Sequence, residues 1–316
     1  MKHNIVFLDR STLVADLRAP NFAHNWTDYP TTEPSEVVRR LADADIAICN
    51  KVSITTHILE QLPRLKLIAI AATGTNNVDL ESCKRKNISV CNIRDYAQFA
   101  VSEHCFALAL SLRRNLVAYR QDILDAKWQS AAGFCLFAHP VRDLRGSVLG
   151  IIGHGAIGRQ TALLGKAFGM EILLAERKSA SACRGERTEF DQLISKSDII
   201  SIHCPLNEET KGLIGHREFK MMKSEAILLN TARGGIVDED ALLHALNTQE
   251  IGGAGFDVLS KEPPTDGHPL LDVDLPNFVI TPHVGWASAQ AMQALADQLI
   301  DNIEGFVSGQ AQNLVF

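Results

Sequence analysis

Three polar residues, each standing where an apolar run gives out, carry the chemistry this sequence could perform. Arg233 closes Leu228-Leu229-Asn230-Thr231-Ala232 and opens onto Gly234-Gly235. Glu262 follows Gly255-Phe256-Asp257-Val258-Leu259-Ser260-Lys261 and precedes Pro263-Pro264, and His283 stands between Val279-Ile280-Thr281-Pro282 and Val284-Gly285-Trp286. Singly, they read as a surface ion-pair donor, a solvated loop charge and a strand-end histidine. Together they supply a fixed cation to hold a carboxylate in a bidentate grip, an imidazole to pass a proton, and a carboxylate to orient that imidazole and favour its charged form. That is the set needed to reduce a 2-oxo acid.

A second chemical feature lies upstream. The apolar run Ser147-Val148-Leu149-Gly150-Ile151-Ile152 ends in Gly153-His154-Gly155-Ala156-Ile157-Gly158, and a helix-compatible segment, 160–168, follows at once. Strand, tight turn and helix in this order suit a dinucleotide. One glycine permits the turn, one lets the backbone approach a pyrophosphate, one lets helix pack on strand, and the new helix offers its N–H groups to the phosphates. The next apolar run ends in Glu176, 18 residues beyond Gly158, where an acidic side chain reaches a ribose diol and repels a 2′-phosphate. NAD is therefore expected over NADP. Arg177 and Lys178 at the same turn are either solvated charges or cations for such a phosphate.

The elements that must position these groups are read from the rest of the chain. Over residues 1–98, strand-like runs at 5–9, 45–50, 65–73 and 88–92 alternate with helix-like segments at 33–42, 55–62 and 79–86. From 147 onward, runs at 148–153, 172–176, 198–204, 226–231, 252–258 and 278–281 do the same. Such alternation predicts an α/β fold in two lobes, each a parallel sheet covered by helices: a dinucleotide-binding lobe of six or more strands and a smaller one. Residues 97–116 are apolar at helical spacing and predict a long bridging helix, and 129–145 reads as a loop. The last helix, 287–307, is expected to return to the first lobe, giving domains 1–98 with 287–316, and 99–286.

Composition narrows the classes. The 316 residues carry a net charge of −6 and are 46% hydrophobic, which gives no electrostatic reason for nucleic acid or an anionic membrane as partner. No apolar run approaches a membrane span, and the first strand comes too early and turns polar too soon for a signal peptide. Seven scattered cysteines without a Cys-x-x-Cys pair argue against a disulfide framework or a metal site and for a reducing cytoplasm.

In the order His203-Cys204-Pro205-Leu206 with Thr210, Asn230 to Gly235, Gly255-Phe256-Asp257-Val258 with Glu262-Pro263, and Pro282 to Trp286, these motifs resemble the D-isomer-specific 2-hydroxyacid dehydrogenases. Ala72-Thr73-Gly74-Thr75-Asn76-Asn77-Val78-Asp79 resembles that family's substrate-lobe glycine loop, with Asn76 where an aspartate is common, and Val101-Ser102-Glu103-His104 resembles the start of its bridging helix. Within the family, the ending His283 to Ser288 is most similar to the glycerate dehydrogenase (hydroxypyruvate reductase) branch. The resemblance implies a flavodoxin-like substrate lobe, a homodimer, and Arg233, Glu262 and His283 as catalytic residues, with Arg233 and His283 also touching substrate and coenzyme. It places Asp257 on the nicotinamide carboxamide, Thr231, Ala232, Cys204, Pro205, Thr210 and Gly285 along the coenzyme with the Gly153–Gly158 turn, and Thr73, Gly74 and Thr75 on the substrate carboxylate. Lys51, just past its strand, reads either as a solvated lysine or as a further substrate contact. Trp286 either walls the pocket or packs.

The expected activity is NAD(H)-dependent interconversion of a small 2-oxo acid, such as hydroxypyruvate or glyoxylate, with its D-2-hydroxy acid. Two alternatives stay open. One is an NAD(H)-sensing corepressor-like protein, which needs peptide-docking surfaces or disordered tails. The other is oxidation of formate or phosphite on the same fold.

Overall fold

The computed structural model describes residues 2–316 and divides into two compact units, one running to Tyr96 and resuming over Ala287–Phe316, the other Ala97–Trp286. In the first, the strands among the described residues are β1 (His3–Phe7), β2 (His24–Asp28), β3 (Ile46–Cys49), β4 (Leu67–Ile70) and β5 (Ser89–Cys91). They pair in parallel in the order β2-β1-β3-β4-β5, the flavodoxin-like order, whose direction reverses at β1/β3. Every residue of β3 and β4 is buried, as a parallel strand covered on both faces requires, and this is why both read as unbroken apolar runs.

The edge strand β2 has no such signature. His24-Asn25-Trp26-Thr27-Asp28 is polar and nowhere fully buried, because a strand with a single neighbour and an open flank has no call for an apolar run. It therefore escaped the pattern reading. The helices of this unit before residue 97 are α1 (Val37–Leu41), α2 (Thr56–Glu60) and α3 (Leu80–Arg85). A 3-10 turn over Pro34–Glu36 takes the place of the first part of the helix expected at 33–42.

The second unit opens with α4 (Gln98–Arg113) and α5 (Leu116–Leu124), separated by Asn115 at φ 50°. The helix expected at 97–116 stops there because one left-handed residue ends the hydrogen-bond ladder. Its strands and helices are β6 (Val148–Ile152), α6 (Ala156–Ala167), β7 (Glu171–Leu174), α7 (Phe190–Lys196), β8 (Ile199–Ile202), α8 (His216–Met221), β9 (Ile227–Asn230), α9 (Glu239–Asn247), β10 (Gly253–Phe256) and β11 (Phe278–Ile280).

The sheet order is β11-β10-β9-β8-β6-β7, all parallel. The order reverses between β6 and β8, which opens a crevice at their C-terminal ends. Helix α4 lies against this sheet, with the Leu108 side chain over Gly255, and Phe106 stacks on Phe168 at 5.1 Å.

The final helix, α10 (Ala289–Val307), packs on β4 of the first unit. Its buried Asn302 donates to Asn92 O at 3.0 Å, and Val315 N donates to Val90 O at 2.9 Å, so the last residues are stitched to β5. No helix among the described residues is long and apolar enough to cross a membrane, and all seven cysteines are free.

Candidate active site

The three candidate catalytic residues follow three adjacent strands of the second unit. Arg233 lies just past β9, Glu262 past β10 and His283 past β11. Successive C-terminal ends of a parallel sheet thus present all three at one rim. His283 Nδ1 and Glu262 Oε2 are 2.5 Å apart, and Glu262 Oε1 accepts from Leu259 N at 2.7 Å. One carboxylate oxygen is anchored to backbone while the other accepts a hydrogen bond from the imidazole. Ring Nδ1 is thereby the donor to Glu262, leaving Nε2 as the nitrogen that can give a proton to a bound molecule.

His283 has φ 55°, a left-handed backbone that costs a non-glycine residue energy unless its surroundings impose it. The surroundings here are specific. Buried Asp257 accepts from Val284 N at 2.9 Å, Gly285 N at 2.8 Å and the Thr281 hydroxyl at 2.5 Å, and the Trp286 indole donates to His283 O at 3.0 Å. Four hydrogen bonds thus brace the turn that carries the imidazole. The expectation for Asp257 was a contact with the nicotinamide carboxamide; here both its oxygens serve the 281–285 turn. Behind it, the Thr281 hydroxyl has spent its one hydrogen on Asp257, so His104 Nε2, 2.9 Å away, is the donor to that oxygen. His104 entered the sequence reading only as part of a helix, and nothing in its neighbours along the chain points to strand β11.

Arg233 is exposed, and its guanidinium donates to Ala232 O at 2.7 Å. Buried Asn230 sets the turn before it, with Nδ2 donating to Arg233 O at 3.0 Å and Oδ1 accepting from Ala232 N at 3.1 Å. A Cβ on Gly234 would lie 1.9 Å from Leu259 O, so only glycine lets the Arg233 turn touch the loop that carries Glu262. Thr231 is held by Cys105, with Oγ1 and Sγ 3.1 Å apart.

The glycine turn at the switch point divides its labour. Gly153, at φ 96°, would drive a Cβ to 2.5 Å from Cys204 N, and Gly158 would drive one to 2.0 Å from Gly153 O. Gly155 has nothing within 4 Å of such an atom, and it precedes α6 with no side chain capping that helix. Two glycines serve chain-to-chain approach while the third leaves open space before uncapped N–H groups, which fits a pyrophosphate. Across the crevice, the turn Cys204-Pro205-Leu206 is braced by Thr210, whose hydroxyl donates to Pro205 O at 2.6 Å. The burial of the His203 ring pushes its pKa down to about 3, so it stays neutral, 2.9 Å from Ser201 Oγ. His154 is likewise shifted down, by burial and then by the charges of Arg187, Arg159 and Lys166.

Glu176 stands just past the end of β7, buried, with its carboxylate bound to Arg184 and to backbone N–H groups. The expected substrate residues lie in the first unit, where Lys51 and Thr73-Gly74-Thr75 follow the neighbouring strands β3 and β4. Buried Asp9 accepts from Asn50, Lys51 and Val52 N at 2.6–3.1 Å, and Asn77 Nδ2 donates to Val52 O at 2.9 Å. Thr73 Oγ1 donates to Ile93 O at 2.8 Å. These bonds hold the two loops together. No cluster of three or more His, Cys, Asp or Glu suited to a metal occurs among the described residues.

Comparison with known proteins identifies the family. Residues 106–285 match the model of the D-isomer specific 2-hydroxyacid dehydrogenase, NAD binding domain. The chain belongs to that family. Its second unit is the family's NAD-binding domain, and the chain is an NAD-dependent oxidoreductase of that class. It is 48% identical to a glycerate dehydrogenase of Methylorubrum extorquens over 100% of this chain and 99% of that one. It is 36% identical to a hydroxypyruvate reductase of Blautia hydrogenotrophica over 90% and 88% of the two chains. Among solved structures, the D-lactate dehydrogenase of Aquifex aeolicus complexed with NAD and lactic acid is 28% identical, with TM-score 0.79 and 99% of each chain covered.

Proposed function

We propose that this enzyme reduces hydroxypyruvate or glyoxylate to the D-2-hydroxy acid and catalyses the reverse oxidation. The observation that carries the reading is the 2.5 Å pair of His283 Nδ1 and Glu262 Oε2 at the same sheet rim as Arg233. NADH, when bound, supplies the hydride. Gly155 and the N–H groups of α6 hold its pyrophosphate, with Gly153, His154, Ala156, Ile157, Gly158, Cys204, Pro205, Thr210, Thr231, Ala232 and Gly285 along its length.

Arg233 grips the acid's carboxylate and polarises the 2-oxo group. His283 Nε2 gives its proton to the carbonyl oxygen as that oxygen becomes an alkoxide, and takes the hydroxyl proton in the reverse direction. Glu262 holds the ring through Nδ1, which leaves Nε2 as the nitrogen that exchanges the proton with substrate. Thr73, Gly74, Thr75 and Lys51 are proposed as contacts of the substrate in the first unit. Trp286 keeps the His283 turn in shape through its bond to His283 O.

The reading extends to a cytoplasmic homodimer. The dimer is supported by exposed apolar side chains on α5 and the loop after it, where Leu124 is 60%, Phe134 91% and Phe137 91% exposed, and the reducing compartment by seven free cysteines.

The deciding experiment measures NADH oxidation with a panel of 2-oxo acids that includes hydroxypyruvate, glyoxylate and pyruvate. Turnover is expected with the first two. Protein that binds NADH but turns over none of the panel rejects the reading, and NAD reduction by formate or phosphite would replace it.

A further inference from the structure

A carboxylate offers about four lone-pair positions, and Glu176 has all four filled. Oε1 accepts from Arg177 N at 2.8 Å and from an Arg184 terminal nitrogen, and Oε2 accepts from Arg184 N at 3.0 Å and Arg184 Nε at 2.9 Å. The carboxylate expected to receive a ribose diol and repel a 2′-phosphate therefore has neither a spare acceptor position nor an uncompensated charge. Its ionised form is held well below the usual carboxylate range by the same Arg184 side chain and the backbone N–H groups.

Basic side chains balance the acids around this strand end. Arg184 and Arg177 have side chains 62% and 67% exposed, and Arg177 meets an acid only at 3.8 Å, in Glu209. Arg187 donates to Ala175 O at 2.7 Å beside them. A cleft of about 340 Å³, lined by Glu176, Arg177, Lys178 and Arg217 and by the acids Glu189 and Asp191, opens at the clamp. Lys178 and Arg217 are committed to Glu218, and Arg217 also to Asp191, which leaves Arg177, paired with Glu209 at 3.8 Å, as the cation of the cleft lining that an acid holds least closely.

We propose that the Arg184 clamp on Glu176 sets coenzyme discrimination: it cancels the carboxylate that would exclude a 2′-phosphate, so that this enzyme accepts NADPH alongside NADH. Arg184 acts through Glu176 and is a positioning residue. The inference rests on the NAD-binding unit alone and is independent of which acid is reduced.

The test measures dissociation constants of NADH and NADPH by fluorescence titration, without substrate, so that it stands apart from any failure of turnover. Wild-type protein is expected to bind the two within about tenfold of each other. Arg184→Ala uncovers the carboxylate and is expected to weaken NADPH by about tenfold or more relative to NADH, a modest factor because the Arg184 side chain is largely exposed and its charge is screened by solvent. Arg184→Lys, which keeps the cation, retains NADPH, and the double variant Glu176→Gln/Arg184→Ala regains it because no carboxylate remains to cancel. If Arg184→Ala does not fold, the Lys and Glu176→Gln single variants carry the comparison, both being expected to keep NADPH binding. Wild-type protein that binds NADPH about a hundredfold more weakly than NADH overturns the proposal. So does an NADPH-to-NADH ratio that Arg184→Ala leaves unchanged, or loss of NADPH binding in Glu176→Gln.

Discussion

His283 is held on two sides that ask different things of it. Glu262 fixes the ring through Nδ1, and Asp257 fixes the backbone through the N–H groups of Val284 and Gly285. Replacing the ring by an amide, in His283→Asn, removes the proposed proton donor and is expected to lower kcat by about 10²–10⁴-fold, or about 3–5 kcal/mol of barrier. NADH affinity should change little, as fluorescence titration would show. Asp257→Asn turns an acceptor-only group into one that presents N–H to N–H, and leaving such a buried donor unmet costs about 1–3 kcal/mol. That variant is expected to lose thermal stability and kcat together, measured by melting and by steady-state kinetics, with the coenzyme KM less affected than kcat. A kcat loss with unchanged melting would point instead to a direct contact with coenzyme.

At the level of turns, the glycines separate folding from binding. Gly234→Ala sets a Cβ 1.9 Å from the Leu259 carbonyl oxygen, and overpacking of this kind costs about 1–3 kcal/mol. It should lower stability and activity at once, because the turns carrying Arg233 and Glu262 are forced apart. Gly155→Ala meets nothing in the protein itself, so melting should be unchanged while NADH affinity falls by about tenfold or more through crowding of the phosphates.

The residue just past strand β8 carries a pH prediction. His203, shifted from 6.5 down to about 3 by burial, takes up a proton in the unfolded chain before it does so in the folded one. Between those values the unfolded state binds more protons, so this contribution is fully present above about pH 6.5 and is lost as pH falls through the window towards 3. Urea midpoints followed from pH 7 to pH 4 should fall, and His203→Asn should flatten that slope.

For the whole molecule, Phe134 and Phe137 are the most exposed large apolar side chains among the described residues, and Leu124, Leu116 and Trp128 of the same stretch are exposed as well. Burying such a patch against a second copy is the cheapest way to remove it from water. Phe137→Asp is expected to shift the protein from dimer to monomer in analytical ultracentrifugation, and a wild-type monomer at micromolar concentration would remove the patch as a dimer surface. The same exposure explains why α5 was not legible in the sequence. Only Ala118 and Asp122 of its nine residues are buried, so no periodic apolar face announces it.

Much of this protein can be read from its residues alone, for a local reason. Buried parallel strands must be apolar throughout, tight turns must be glycine, and a helix that opens on a phosphate must follow its strand directly, so β6, the Gly153–Gly158 turn and α6 declare themselves in consecutive residues. Arg233, Glu262 and His283 were likewise visible, because strand ends are where a parallel sheet presents side chains. The partnerships were not. That Glu176 is spent on Arg184, Asp257 on the His283 turn, and His104 on Thr281 depends on which hydrogen-bond donors the loops bring within about 3 Å. Residues up to 177 positions apart in the chain meet there, and a carboxylate binds whichever donor the fold delivers, which tertiary structure alone decides.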